Sequence, residues 1–147
     1  DMMDRKVGAP WHLWVVGVVT LLWNAIGAAD FVFSNLRSPF WFEAMQYPPE
    51  GISYLDAFPF WARMAWGMGT IGAFLGSLLL LLRSRLAVIA FALSLVGILL
   101  TTIYEAGAVM PPELEAMQPA WFPILLWSVA VFLLIYSWSL RRKGVLR

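Results

Sequence analysis

The sequence has no cysteine and only one histidine, and both shortages restrict the chemistry open to it. Without a thiol there is no disulfide, no thiol nucleophile and no thiolate metal site. His12 alone cannot build a multi-histidine metal site. The signatures of zinc proteases, serine hydrolases, P-loop NTPases and dinucleotide-binding enzymes are also missing. The sequence therefore predicts a protein that is not an enzyme and that holds no metal.

Charged residues are scarce too. They make up 13% of the 147 residues, whereas 61% are apolar, and a soluble domain carries about 25% charged residues. Nine tryptophans and ten phenylalanines are more than a small soluble core needs, but they suit the aromatic belts of a membrane protein. No basic patch of the kind that binds nucleic acid is present. The composition predicts an integral membrane protein whose partner is the lipid bilayer.

Four apolar runs are each near or above the roughly 20 residues that cross a bilayer; they cover residues 11–33, 57–82, 86–104 and 121–140. Only three residues, Arg83-Ser84-Arg85, separate the second run from the third, so these two form an antiparallel hairpin. The predicted fold is an all-α integral membrane four-helix bundle, a single membrane domain over residues 1–147. Gly27-Ala28-Ala29 also fits a signal-peptide cleavage site, but the long, tryptophan-containing run before it favours a span.

Basic residues predict the orientation of the bundle. Those flanking one membrane face are Arg5, Lys6, Arg83, Arg85, Arg141, Arg142, Lys143 and Arg147. Only Arg37 and Arg63 belong to the other face. The positive-inside rule then places both termini and the link Arg83-Ser84-Arg85 in the cytoplasm. The two long links face outward, and we expect short interfacial segments there, including a helix over 49–56 whose Ile52 and Leu55 face the bundle.

Three charged residues fall at one depth. Asp30, Arg63 and Glu105 each lie nineteen positions from the cytoplasmic border of their span, which is about 28 Å at the rise of an α-helix. Because a half-buried arginine favours a carboxylate partner, we expect Arg63 to pair with Asp30, Glu105 or both. The alternative is three separately solvated helix ends. Such a cluster is either a clamp for the bundle or a binding site.

Asn24 lies deeper, about 20 Å from the same border, at the level of Gly69 and Thr70 in the second span. An amide at this depth either bonds between helices or contacts a ligand. The second span also carries small residues at helical spacing, Gly69, Gly72 and Gly76. The first span has a matching strip that includes Gly27. We expect these two strips to face each other, with Asn24 and Asp30 on the seam.

No cofactor is predicted. Three tryptophans, Trp23, Trp66 and Trp127, lie deep in the spans. Core packing explains them, although they could also contact a bound lipid, quinone or pigment.

Several stretches resemble one family of membrane proteins. They are Trp23–Asp30, Phe58-Pro59-Phe60-Trp61, and the segment from Gly76 through Val88. With them the chain resembles, over nearly its whole length, a family of small bacterial four-span inner-membrane proteins, some loosely labelled sugar transporters. The resemblance implies the membrane class and gives no mechanism. Members usually carry tyrosine after the aspartate, whereas this chain has Phe31, so a role for that hydroxyl does not carry over.

Two functions fit these observations. The first is a non-catalytic accessory or scaffolding subunit of a larger membrane complex, associated with other membrane subunits or with itself. The second is a small-molecule binding or transport protein that uses Asp30, Arg63, Glu105 and Asn24 as a polar floor. A proton-coupled form of it would titrate Glu105 or Asp30. The chain has no inverted repeat or broken helix of the kind that transporters use.

Overall fold

The structure is a computed structural model and describes residues 8–147. Its helices are α1 (Trp11–Asn35), α2 (Pro39–Ala44), α3 (Pro49–Asp56), α4 (Phe60–Leu81), α5 (Leu86–Gly107), α6 (Pro112–Glu115) and α7 (Trp121–Arg142). Four of them, α1, α4, α5 and α7, are long and apolar enough to cross a membrane. The predicted all-α, multi-pass membrane bundle is confirmed. Residues 1–7, with Arg5 and Lys6, lie outside the described part.

Local chemistry sets the helix ends. The second span begins at Phe60 and not at residue 57, because Pro59 precedes its first turn and Ala57 closes α3. The helices α1 and α4 end with a residue in the left-handed region, Arg37 at φ 54° and Arg83 at φ 57°. Such ends provide hydrogen bonds for the last carbonyl groups of the helix. A residue with a side chain is less stable in this left-handed conformation than glycine. Only α7, among these helices, ends on a glycine with positive φ, Gly144.

The helix α4 is at the centre of the bundle. One of its faces packs against α5 and another against α1, while α7 packs against α5. Contacts between α1 and α7 are sparser and are made by side chains. They include the rings of Trp23 and Phe122, with centroids 6.0 Å apart, and a hydrogen bond between His12 and Tyr136.

Gly69, Gly72 and Gly76 of α4 face α5, so the prediction that these three glycines face the first span is wrong. A Cβ atom at Gly69 would meet Ile98, one at Gly72 would meet Ser94, and one at Gly76 would meet the ring of Phe91. The short link between α4 and α5 holds these helices side by side, and α5 offers small residues of its own. A Cβ atom at Gly97 would lie 2.6 Å from the Ala65 carbonyl oxygen.

The first helix packs on a neighbouring face of α4. Its buried residues include Leu13, Gly17, Thr20, Asn24 and Ala28, at spacings of three and four. This is the strip that the sequence predicts for α1. Gly27 borders it, and a Cβ atom there would lie 3.8 Å from the Thr70 methyl group. The predicted contact between α1 and α4 is therefore present, but it uses a face of α4 beside Gly69, Gly72 and Gly76 and not these three glycines themselves.

Two apolar cores close the ends of the bundle. At one end, which we call the basic end, the link between α4 and α5 and residues 143–147 cover a core that contains Leu13, Phe91 and Leu133. At the other, which we call the acidic end, α3 and α6 cover a core that contains Phe58 and Leu114. The buried face of α3 is Gly51, Tyr54 and Leu55. Leu55 is thus placed as predicted, whereas Ile52 is only half-buried.

Candidate functional site

Asn24 joins two helices. Its side-chain amide donates to the Ala73 carbonyl oxygen at 3.1 Å and to the Ser77 hydroxyl oxygen at 2.9 Å, both on α4. The hydroxyls of Thr20 and Ser77 also lie 3.1 Å apart. Asn24 is 8% exposed and Ser77 is fully buried, so the contacts lie inside the bundle. Asn24 acts between helices, one to two turns along α4 from the predicted level of Gly69 and Thr70.

Asp30 lies at the acidic end and accepts three kinds of donor. The Trp41 indole N–H donates to its Oδ1 at 2.9 Å, and the Tyr47 hydroxyl donates to the same oxygen at 3.1 Å. The Ser34 hydroxyl, one turn further along α1, donates at 3.2 Å. Trp41 belongs to α2 and Tyr47 to the link before α3. The carboxylate therefore holds the connection between α1 and α3 against the end of α1.

The Asp30 carboxylate affects the pKa of Tyr47. Burial, together with the negative charge and the hydrogen bond of Asp30, raises the pKa of the Tyr47 phenol well above its usual value. The neutral phenol is the donor that Asp30 needs, so the same contacts hold Tyr47 protonated. The pair is a stable hydrogen bond over the physiological pH range.

Arg63 does not pair with Asp30 or with Glu105. Its guanidinium donates to the Leu55 carbonyl oxygen at 3.3 Å and more weakly to that of Phe58 at 3.5 Å. Leu55 lies in the last turn of α3, where carbonyls lack partners within the helix and a cation is favoured. The predicted ion pair was wrong because equal distance from the span borders does not give equal depth. Phe31 packs on Gly67, so Asp30 lies about one turn from Arg63 along α4.

An ion pair forms instead between Arg37 and Asp56. Arg37 Nε donates to Asp56 at 2.7 Å, and its NH1 donates to the Ser34 carbonyl oxygen. Both side chains are partly exposed, at 32% and 59%, and exposed pairs contribute about 0.2–1 kcal/mol. This bridge adds a second connection between the end of α1 and α3.

Glu105 is exposed at the end of α5 and is the third member of the predicted cluster. Its charge acts on Tyr54 of α3: burial, followed by Glu105 and Tyr104, raises the pKa of Tyr54 to about 12. The Tyr54 hydroxyl is buried and is the only such side-chain polar atom among residues 8–147 without a hydrogen-bond partner. The structure therefore separates Asp30, Arg63 and Glu105 into three different environments.

The three deep tryptophans pack against protein side chains. Trp66 contacts the ring of Phe31 edge-to-face with centroids 5.1 Å apart. The Trp127 indole N–H donates to Thr102 at 3.3 Å, and Trp23 packs on Phe122 as described. An open groove of about 430 Å³ lies at the acidic end and is lined by Trp61, Ile103, Tyr104, Gly107 and Ala108, but by none of these three tryptophans. In the described part of the chain, no cluster of histidine and carboxylate side chains could hold a metal.

Sequence reasoning missed most of the partners. It assigned no bonding role to Trp41, Tyr47 or Ser34. The spacing of Ser34, four residues after Asp30, was the one available signal. Ser94 was missed as well: its hydroxyl donates to the Gly69 carbonyl oxygen at 2.6 Å across the seam between α4 and α5.

The chain matches no protein-family model, no curated protein and no solved structure.

We predict that Tyr47→Phe and Tyr54→Phe differ at neutral pH. Tyr47→Phe loses a hydrogen bond to a carboxylate and should cost about 1.5–3 kcal/mol, whereas Tyr54→Phe removes a hydroxyl without a partner and should cost nothing. Both tyrosines have a pKa raised above 10.0 in the folded state. Their neutral forms therefore stabilise the fold below pH 10.0, and this stability is lost as pH rises through the folded pKa.

Thermal unfolding in detergent, measured at neutral pH and between pH 10.0 and about 12, checks both statements. Tyr54→Phe should lose less stability than the unmodified chain across that alkaline range. An equal cost of the two substitutions at neutral pH would contradict the assigned bond between Tyr47 and Asp30.

Proposed function

We propose that the protein is a non-catalytic accessory or scaffolding subunit of a larger bacterial membrane complex. One observation carries the proposal. Among residues 8–147, every buried side-chain polar atom except the Tyr54 hydroxyl has a hydrogen-bond partner within the protein. Asn24, Thr20 and Ser77 link α1 to α4, and Ser94 links α5 to α4. Polar groups used in this way hold helices together and leave none free to bind a substrate inside the bundle.

The surface of α7 supports the same proposal. This helix buries only Leu133, Ser137 and Leu140, and its opposite face exposes large side chains such as Ile124 at 70% and Ile135 at 62%. A helix that gives so little of its surface to its own bundle is suited to packing against a second protein. We therefore place the partner on α7.

A second candidate function is the binding of a small molecule at the acidic end. The groove lined by Trp61 and Tyr104 favours it, since aromatic walls with one phenol hydroxyl suit an amphipathic ligand. The groove is open and lies at the surface, which gives no route through the bundle. This candidate is therefore a binding protein and not a carrier.

Photocrosslinking tests the scaffolding function, and the absence of cysteine makes single-site labelling specific. Ile135→Cys on α7 and Val19→Cys on α1 place a benzophenone probe at side chains of matched exposure, 62% and 60%. After irradiation in native membranes and purification in a mild detergent, Ile135→Cys should join a different protein identified by mass spectrometry. Val19→Cys should label lipid only.

Purification of the chain alone, without a crosslink from either site, would contradict the scaffolding function. Thermal stabilisation of that chain by a small amphipathic solute would favour the second candidate instead.

We also infer that both ends of the chain face the cytoplasm of the inner membrane, with the acidic end outward. The distribution of basic residues supports this orientation, as does the resemblance to small four-span inner-membrane proteins. In intact cells a membrane-impermeant maleimide should label Glu113→Cys in α6 and should label Lys143→Cys only after lysis. The reverse pattern would overturn the orientation.

A further inference from the structure

The segment 143–147 is bound to the link between α4 and α5. The Arg147 amide N–H donates to the Arg83 carbonyl oxygen at 2.8 Å, and the Arg85 amide N–H donates to the Arg147 carbonyl oxygen at 3.0 Å. Leu146, 1% exposed, anchors the segment in the core of the basic end. Two parts of the chain that are far apart in sequence are therefore held at a defined spacing.

Four exposed arginine side chains lie around this connection. The side chains of Arg85 and Arg147, held together by their backbones, are both exposed, and the last turn of α7 adds the exposed Arg141 and Arg142. The acidic residues between 8 and 147 all lie at the other end of the bundle; they are Asp30, Glu43, Glu50, Asp56, Glu105, Glu113 and Glu115. In the described part of the chain, no carboxylate side chain balances the four arginines.

We propose that the surface formed by Arg85, Arg141, Arg142 and Arg147 binds the headgroup of an anionic phospholipid. Arg85 directly precedes α5, and Arg141 and Arg142 lie in the last turn of α7, so the cluster lies at the ends of helices that are long and apolar enough to cross a membrane. Arginine binds phosphate through paired N–H donors, so a headgroup can bridge two or more of them. Basic clusters next to spanning helices are the sites where anionic lipids bind.

One of the four arginines, Arg141, lies next to a tryptophan. The Arg141 guanidinium lies over the ring of Trp138, 5.8 Å from its centroid, and tryptophan concentrates at membrane interfaces. This contact holds the Arg141 guanidinium against a ring one turn earlier in α7.

Lipid binding at this surface stabilises the fold. Like charges held close together repel each other, and the bonds between Arg147 and the link bring Arg85 and Arg147 together. A bound phosphate group removes that repulsion and strengthens the connection between α7 and the link. The inference rests on these contacts and is independent of the scaffolding function and of the orientation.

The test compares the unmodified chain with the double variant Arg85→Gln/Arg147→Gln, which keeps every backbone bond. Each is reconstituted in nanodiscs of phosphatidylcholine with or without phosphatidylglycerol, and Tm is measured. Phosphatidylglycerol should raise the Tm of the unmodified chain, and the double variant should lose most of that rise. In phosphatidylcholine alone the variant should melt at the same temperature or higher, because it has lost the repulsion.

Three controls make the result specific. Arg63→Gln, a cation at the acidic end, should keep the full rise in Tm, and Arg85→Lys/Arg147→Lys should keep a large part of it. Native mass spectrometry of the unmodified chain should retain phosphatidylglycerol in preference to phosphatidylcholine. An equal rise in the unmodified chain and the glutamine variant, or no lipid preference, would overturn the proposal. The same rise with inorganic phosphate in phosphatidylcholine would overturn the assignment to a lipid.

Discussion

The close approach of α4 and α5 is the constraint on which the rest of the bundle depends. At Gly97 the two backbones are so near that a Cβ atom would lie 2.6 Å from a carbonyl oxygen and 3.0 Å from the Cα atom of Gly69. Small residues allow such contact, and in lipid it replaces the hydrophobic effect as a source of packing energy. With one face of α4 committed to α5, α1 must use the neighbouring face, which carries Ala73 and Ser77.

Polar side chains then act where the apolar packing places them. Asn24 and Thr20 meet Ser77 across the seam between α1 and α4, and Ser94 meets α4 from the other side. At the acidic end Asp30 also joins separate parts of the chain, because it accepts hydrogen bonds from donors in the connection between α1 and α3. A bilayer offers no water to satisfy these groups, so pairing them internally is what permits them there.

The sequence predicted the spans of this protein well and the packing between them poorly. Hydropathy and length located the four spans, and a link of three residues identified the hairpin of α4 and α5. Counting from the span borders put Asp30, Arg63 and Glu105 at one level, but Phe31 packs on Gly67, so Asp30 lies about one turn from Arg63 along α4. Arg63 binds carbonyl oxygens at the end of α3, and Gly69, Gly72 and Gly76 face α5. The partners of Asp30 depended on how α2 folds back, which no periodic pattern encodes.

Gly97→Ala tests the central constraint most directly, with Gly107→Ala as its matched control. Both glycines lie in α5, but a Cβ atom at Gly107 would meet nothing within 4 Å. Thermal unfolding in detergent should show Gly97→Ala destabilised by about 1–3 kcal/mol, the usual cost of overpacking. Gly107→Ala should be neutral or slightly stabilised, because alanine favours helix. Equal stability of the two variants would contradict the account.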